Sequence, residues 1–216
     1  MINCIGITDV DKCEKNSKLC IKINADLLKL LNNLSIKYGF KLIQISTDHL
    51  YKGQPGKLNR ENDKILPLNM YSYSKLLSEN YVKKNKKNLI IRTNFTGFRK
   101  NVSKTFVGQI YIAGRKKRKI NLFTDIYTST LDVTTCAKLI KKLILKNARG
   151  IYNCGTSHSI SKSDFALYFA KKNKINLNYQ LCLSNNKEVR RPKFLGLNVM
   201  KIEKKLNTKM ILPFKA

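Results

Sequence analysis

Tyr71 and Lys75 stand four residues apart in the run Tyr71-Ser72-Tyr73-Ser74-Lys75, and residues four apart on a helix share a face. A phenol, with a pKa of about 10, exchanges protons poorly at neutral pH. A neighbouring ammonium favours the phenolate and brings that pKa toward the working range. Thr47, in Ser46-Thr47-Asp48, precedes Tyr71 by 24 residues and adds a hydroxyl that can hold a carbonyl oxygen while it is protonated. Together the three side chains suit the reduction of a ketone by hydride transfer, with Tyr71 as the acid.

Such a site needs strands and helices to position it, and the hydrophobic pattern supplies them. Met1 to Ile7 reads as a short buried strand, followed by a polar turn with Asp9, Asp11 and Glu14. Leu19, Ile23, Leu27, Leu30, Leu31 and Leu34 recur at helical spacing and predict a helix over 17–38, closed by Gly39. Strands are expected over 41–46, 88–93 and 150–154, with an extended segment at 119–123. Helices are expected over 70–84, 102–115, 131–146 and 161–172, then a less regular tail. For the 70–84 helix the predicted core face is Tyr73, Leu76, Leu77 and Tyr81, with Tyr71 and Lys75 on another face. Gly53-Gln54-Pro55-Gly56 marks a loop. Strands alternating with amphipathic helices imply parallel β-α units, hence an open, doubly wound α/β sheet. Ligands of such sheets lie beyond the carboxyl ends of the strands, which singles out 6–11, 46–51 and 94–98.

Composition narrows the class. The 216 residues are 43% hydrophobic and 26% charged, in keeping with a globular chain rather than a disordered one. No long uncharged apolar run or basic-then-apolar leader is present, so a soluble, cytoplasmic chain with no membrane partner is expected. Six cysteines without a C-x-x-C pair, and only two histidines, argue for reduced, mostly buried thiols and against a metal site. The net charge of +30 attracts polyanions of any kind. The lysine runs are spread along the chain and several fall at predicted helix ends, where cations complement the helix dipole; no specific nucleic-acid partner is expected.

In context these motifs resemble the extended short-chain dehydrogenase/reductases, and within them the dTDP-4-dehydrorhamnose reductase group. The matching stretches are 2–14, Ile23-Asn24-Ala25, Ile45-Ser46-Thr47-Asp48 with Tyr51 and Gly53, and Pro67-Leu68-Asn69 leading into Tyr71-Ser72-Tyr73-Ser74-Lys75 and Glu79. Ile91-Arg92-Thr93-Asn94-Phe95, Phe123-Thr124-Asp125-Ile126-Tyr127, Gly150-Ile151-Tyr152-Asn153, Ile160-Ser161-Lys162 and Arg191-Pro192 follow. The resemblance spans essentially the whole chain. It implies a Rossmann-like cofactor part over 1–95 and a mainly substrate-binding part over 96–216, with about 131–154 returning to the sheet. It implies NADPH or NADH as cofactor, against the backbone of Ile5, Gly6 and Ile7 and the side chains of Tyr71 and Lys75. The implied substrate is a nucleotide-linked 4-keto-6-deoxysugar for surface polysaccharide. Tyr71 would donate the proton, Lys75 would tune it, and Thr47, Asp48, Asn94 and Phe95 would meet the substrate. Phe95 reads equally as a plain core residue; Tyr127 and Thr128 are further candidates for the sugar pocket.

One departure stands against the match. Relatives begin with a strand, a G-x-x-G-x-x-G turn and a helix that holds the cofactor diphosphate, and the ten glycines here never form that turn. Nor does Gly53-Gln54-Pro55-Gly56-Lys57 have phosphate-loop spacing. The sheet is therefore expected to be N-terminally truncated, with the first strand an exposed apolar edge. Three explanations follow: a fragment of a longer product, a homodimer or separate partner supplying the missing half, or a chain kept as a non-catalytic sugar-nucleotide-binding or regulatory subunit.

Overall fold

The computed structural model describes residues 1–98, 105–185 and 188–210. Strands β1 (Ile2–Asn3), β2 (Ile43–Thr47), β3 (Leu89–Thr93) and β8 (Gly150–Cys154) form one parallel sheet in the order β1-β2-β3-β8. Helices α1 (Val10–Lys15), α2 (Ser17–Ile21) and α3 (Leu27–Tyr38) connect β1 to β2, and α4 (Met70–Val82) connects β2 to β3. A smaller lobe follows, from β4 (Phe95–Thr96), α5 (Phe106–Arg115), β5 (Ile120–Phe123) and β6 (Tyr127–Thr128). Then β7 (Leu131–Asp132) and α6 (Val133–Leu145) lead back to β8. The chain ends through β9 (Ile160–Ser161), α7 (Lys162–Lys172), β10 (Tyr179–Cys182), β11 (Phe194–Leu195) and α8 (Met200–Leu206).

The sheet is covered on both faces. Leu28, Leu42, Val82 and Ile90 pack α3 and α4 against one side; Ile43, Ile91, Leu139, Leu143 and Ile202 pack α6 and α8 against the other. A separate cluster of Ile110, Leu122, Ala166 and Ala170 holds α5, β5 and α7 together as the small lobe. This is the doubly wound parallel α/β sheet expected from the sequence. The expected apolar edge is also present, because among the described residues β1 pairs only with β2 and Ile2 is half exposed.

Several expectations are corrected. The first strand stops at Asn3, whose side chain accepts from Ile5 N (3.3 Å) and donates to Ile5 O (3.3 Å), turning the chain out of the sheet. The supposed polar turn at Asp9–Glu14 is α1, because Asp9 accepts from Lys12 N and caps it. The 17–38 helix is broken by a π turn at Lys22–Asp26. That turn carries buried Asn24, whose side chain is committed elsewhere, in keeping with the extra residue a π bulge accommodates. Leu131–Asp132 is a strand beside β4, and Asp132 caps α6. The tail contains β10 and β11, which pair with β5 and β6. Of the predicted 102–115 helix, residues 102–104 lie outside the described ones, and Thr105 caps the rest.

The largest correction concerns α4. Its buried face is Tyr71, Ser72, Ser74, Lys75, Ser78, Glu79 and Val82, while Tyr73 is 44% exposed. Polar residues can occupy this face because each has an internal partner. Ser74 and Ser78 bond back to the carbonyls of Tyr71 and Lys75, both at 2.7 Å. Glu79 meets Arg92 in a fully buried pair, Nε–Oε1 2.9 Å and Nη2–Oε2 2.7 Å. A hydrophobicity pattern sees none of these partners.

Candidate active site

A cleft of about 640 Å³ opens beyond the carboxyl ends of the main strands, between the sheet and the small lobe. Strand β2 delivers Ser46, Thr47 and Asp48 to its floor, and β3 delivers Thr93 and Asn94. The amino end of α4 brings Tyr71 and Lys75 to one wall. That helix start is anchored three ways. Asn69 and Ser72 form a capping box, Met70 N donates to Glu14 Oε1 (2.8 Å), and Asn69 Nδ2 donates to Arg190 O (2.9 Å). Tyr71 thereby sits in the first helical turn, where its position is fixed by partners from three segments.

The structure thus brings Thr47, Asp48, Tyr71, Lys75, Asn94 and Phe95 into one cleft with Ile5 and Gly6. Ile7 is not among the lining residues. Its N–H donates to Asn24 Oδ1 (2.8 Å) and its carbonyl accepts from Asn24 Nδ2 (3.0 Å), which pins the Ile5–Gly6 segment from behind. Gly6 has no room to spare on that side, since a Cβ there would meet Asn24 Oδ1 at 3.1 Å. Phe95 is 40% exposed on the cleft wall and is not a core residue. Thr128 lines the cleft, whereas Tyr127 stacks on Phe194 at 5.9 Å outside it.

A hydrogen-bonded series runs along the floor. Thr47 Oγ1 donates to Asp48 Oδ1 (3.3 Å), Asn94 Nδ2 to Asp48 Oδ2 (2.9 Å), and Thr130 Oγ1 to Asn94 Oδ1 (3.2 Å). Lys75 Nζ donates to Ile45 O (2.6 Å). Burial pushes the Lys75 ammonium down to about 8, with Glu79 opposing the shift. For Tyr71 the sequence reading expected a lowered pKa, and the structure gives the opposite direction. Burial raises it, a hydrogen bond with Thr47 pulls the other way, and the Asp48 charge adds to the rise. Desolvation outweighs the Thr47 hydrogen bond here because an anionic phenolate would be enclosed in the wall. Tyr71 is therefore a neutral phenol, the form that can give up a proton.

Among the cleft residues given no role from sequence are His49 and Lys162. His49 follows Asp48, meets the Tyr71 ring edge-on at 5.8 Å, and is pushed down to about 4 by burial and by the charges of Lys162 and Arg191. Its Nδ1 is buried without a hydrogen-bond partner among the described residues. Lys162, the first residue of α7, lowers the otherwise raised pKa of Asp48, which burial takes to about 6. The sequence already places a helix over 161–172, but only the fold shows that this helix points at Asp48.

Comparison with known proteins follows the same lines. Residues 1–212 match the family described as the RmlD substrate binding domain. The chain is 28% identical over 176 residues to the probable low-salt glycan biosynthesis reductase Agl14 of Haloferax volcanii, covering 76% of this chain and 56% of that one. It is 27% identical over 167 residues to the spore coat polysaccharide biosynthesis protein SpsK of Bacillus subtilis, covering 77% and 58%. The chain thus spans little more than half the length of these relatives. Among solved structures, dTDP-4-dehydrorhamnose reductase of Bacillus anthracis in complex with NADP superposes with a TM-score of 0.91 at 26% identity, over 99% of this chain and 75% of that one. The reductase of Clostridium acetobutylicum gives 0.88 at 27% identity, over 98% and 75%. With the match running over nearly every residue and the fold shared with solved reductases, the chain belongs to the RmlD substrate binding domain family.

Proposed function

We propose that this chain carries the catalytic site of an NAD(P)H-dependent reductase acting on a nucleotide-linked 4-keto-6-deoxysugar, in the synthesis of surface polysaccharide sugars. The observation that supports this most is the convergence of Thr47, Tyr71 and Lys75 in one cleft, from a strand end and a helix start. Relatives with reductase and polysaccharide-biosynthesis names point the same way. We read residues 1–95 with about 131–154 as the cofactor part and the remainder as the substrate part.

The cofactor end of the cleft fits a nicotinamide ribose. Buried Lys75 offers an ammonium, Tyr71 a hydroxyl, and Ile5 and Gly6 a segment whose one side-chain-free residue is held close by Asn24. When bound, the reduced nicotinamide supplies hydride. Thr47 holds the substrate carbonyl oxygen by hydrogen bonding, and Tyr71, kept as a phenol by burial, gives that oxygen its proton. Lys75, at about 8, favours the phenolate left behind more than a neutral neighbour would. Asn94 and Thr130 fix Asp48 against the substrate side, and Phe95 offers an apolar wall to the sugar.

A second reading is a sugar-nucleotide-binding subunit without turnover, favoured by the absence of a glycine-rich turn in the 216 residues. Calorimetric titration of the full chain with NADPH at moderate salt separates the two. Salt-resistant binding that is lost in Lys75→Ala supports the reductase. Binding of a dTDP-sugar without any NADPH binding supports the subunit and sinks the reductase reading for this chain.

A further inference from the structure

The cations look dispersed along the sequence, but the parallel topology gathers those of three turns. Strands β2, β3 and β8 lie in register from Ile43, Leu89 and Gly150, so the helix-to-strand turns before them emerge side by side at the amino end of the sheet. Hydrogen bonds tie these turns together. Leu42 N donates to Asn88 Oδ1 (2.9 Å), Gly150 N to Asn88 O (2.8 Å), and Lys41 Nζ to Ala148 O (2.5 Å). Across 39–42, 84–88 and 146–149 the turns hold Lys41, Lys84, Lys86, Lys87, Lys146 and Arg149, six cations with no carboxylate. All but Lys41 are exposed.

Helix ends alone do not account for this. Three helices, α3, α4 and α6, finish at this end, each carrying about half a negative charge at its carboxyl terminus, roughly −1.5 in all. The turns exceed that by about 4.5 positive charges. The crowding is felt within the cluster, where Lys41 is lowered by burial and by the charges of Arg149 and Lys205. Apolar side chains stand among the cations. Ile36 is 58% and Tyr38 67% exposed in the last turn of α3, and Leu145 is 75% exposed at the end of α6, on the opposite flank of the sheet.

We propose that the amino-end face of the sheet is a peripheral docking surface for an anionic lipid bilayer. The cations meet lipid headgroups, and Ile36, Tyr38 and Leu145 enter the headgroup boundary from both flanks. A nucleic acid would use the same charges but gains little from Ile36 and Leu145, so lipid is the better fit. Among the described residues no helix is long and apolar enough to cross a membrane, and this contact needs none. The cleft lies at the other end of the strands, about 16 Å away for five residues, so docking leaves its mouth open. The surface is independent of what the cleft binds. It also revises the sequence reading, which expected no membrane partner.

Sedimentation of the full chain with phosphatidylcholine vesicles, with and without phosphatidylserine, tests the surface at physiological salt. Binding is expected only with phosphatidylserine. Each cation is worth about five-fold in partitioning, so Lys84→Gln, Lys87→Gln and Arg149→Gln together should weaken it about 100-fold. The matched triple Lys116→Gln, Lys117→Gln and Lys119→Gln, on the turn after α5, should change it less than about three-fold at the same net charge, because distant cations are screened. Leu145→Ser should weaken binding with no change of charge. Equal losses in the two triples, an unaffected Leu145→Ser, or binding to RNA but not to vesicles would each overturn the proposal.

Discussion

Replacing Glu79 with Gln removes one charge from a buried pair and keeps the side-chain shape. Glu79 is fully buried and Arg92 is 1% exposed. The carboxylate accepts from Arg92 Nε and Nη2 and from Ser46 Oγ at 2.7 Å, while Arg92 Nη1 donates to Tyr51 OH (2.7 Å) and Glu61 O (3.0 Å). The single variant leaves a guanidinium in the interior without its counter-charge, which costs about 3–5 kcal/mol. At this chain length that lowers Tm by about 10 °C. The double variant Glu79→Leu with Arg92→Met leaves no uncompensated buried charge, since the other partner of Glu79, Lys83, is 39% exposed. What it loses is the hydrogen bonding of Ser46, Tyr51 and the Glu61 carbonyl, about 1–3 kcal/mol. The double variant should therefore be more stable than Glu79→Gln alone. Urea unfolding followed by circular dichroism measures both, with equal slopes required for the comparison. If Glu79→Gln stays within about 1 kcal/mol of the parent, or the double variant is the less stable, the pair is not the buried charge centre described above.

Other outcomes follow from the same structure. Burial raises Asp48 to about 6 and lowers His49 to about 4, so their linkages oppose each other. Asp48 takes up a proton more readily folded than unfolded and gives stability that is lost as pH rises from about 4 to 6, whereas the stability from neutral His49 is lost as pH falls from about 6.5 to 4. Asp48→Asn should therefore leave the His49 loss uncompensated, and its stability relative to the parent should fall by about 3 kcal/mol between pH 6.5 and 4; a constant difference across that range contradicts the assignment. Gly53 has a φ of +70° and a Cβ there would fall 1.8 Å from Phe194 O, while Gly56 has the same φ and open space around it. Gly53→Ala should cost more than about 3 kcal/mol and Gly56→Ala about 1–2 kcal/mol, the strain alone; equal melting shifts would show that the loop is not seated against Phe194.

Much of this was legible in the sequence. Strand and helix order follows from hydrophobic spacing, and Gly150–Cys154 and the helix capped by Ser161 fall where the pattern puts them. Thr47, Tyr71 and Lys75 could be singled out because the chemistry proposed for them requires fixed types at fixed spacing. What could not be read is polar burial. On the inward face of α4, Ser74 and Ser78 bond back to carbonyls of the helix itself, and Lys75 and Glu79 are satisfied by partners on β2 and β3 that are distant in sequence. Asn24 is equally hidden, since its role is to hold the backbone of Ile7, 17 residues away. The rise of the Tyr71 pKa was missed for a related reason: spacing reveals a nearby cation, whereas desolvation depends on everything packed around the ring.

The most direct test of the proposed chemistry is NADPH oxidation by the full chain with a dTDP-4-keto-6-deoxysugar, compared with Tyr71→Phe, alongside calorimetric binding of the sugar nucleotide. Loss of the proton donor should reduce turnover about 10²–10⁴-fold while sugar-nucleotide affinity stays within about two-fold, since Phe keeps the ring and its edge contact with His49. Equal turnover in Tyr71→Phe, or none in the parent chain while it binds both NADPH and the sugar nucleotide, would contradict the assignment of Tyr71 as the acid.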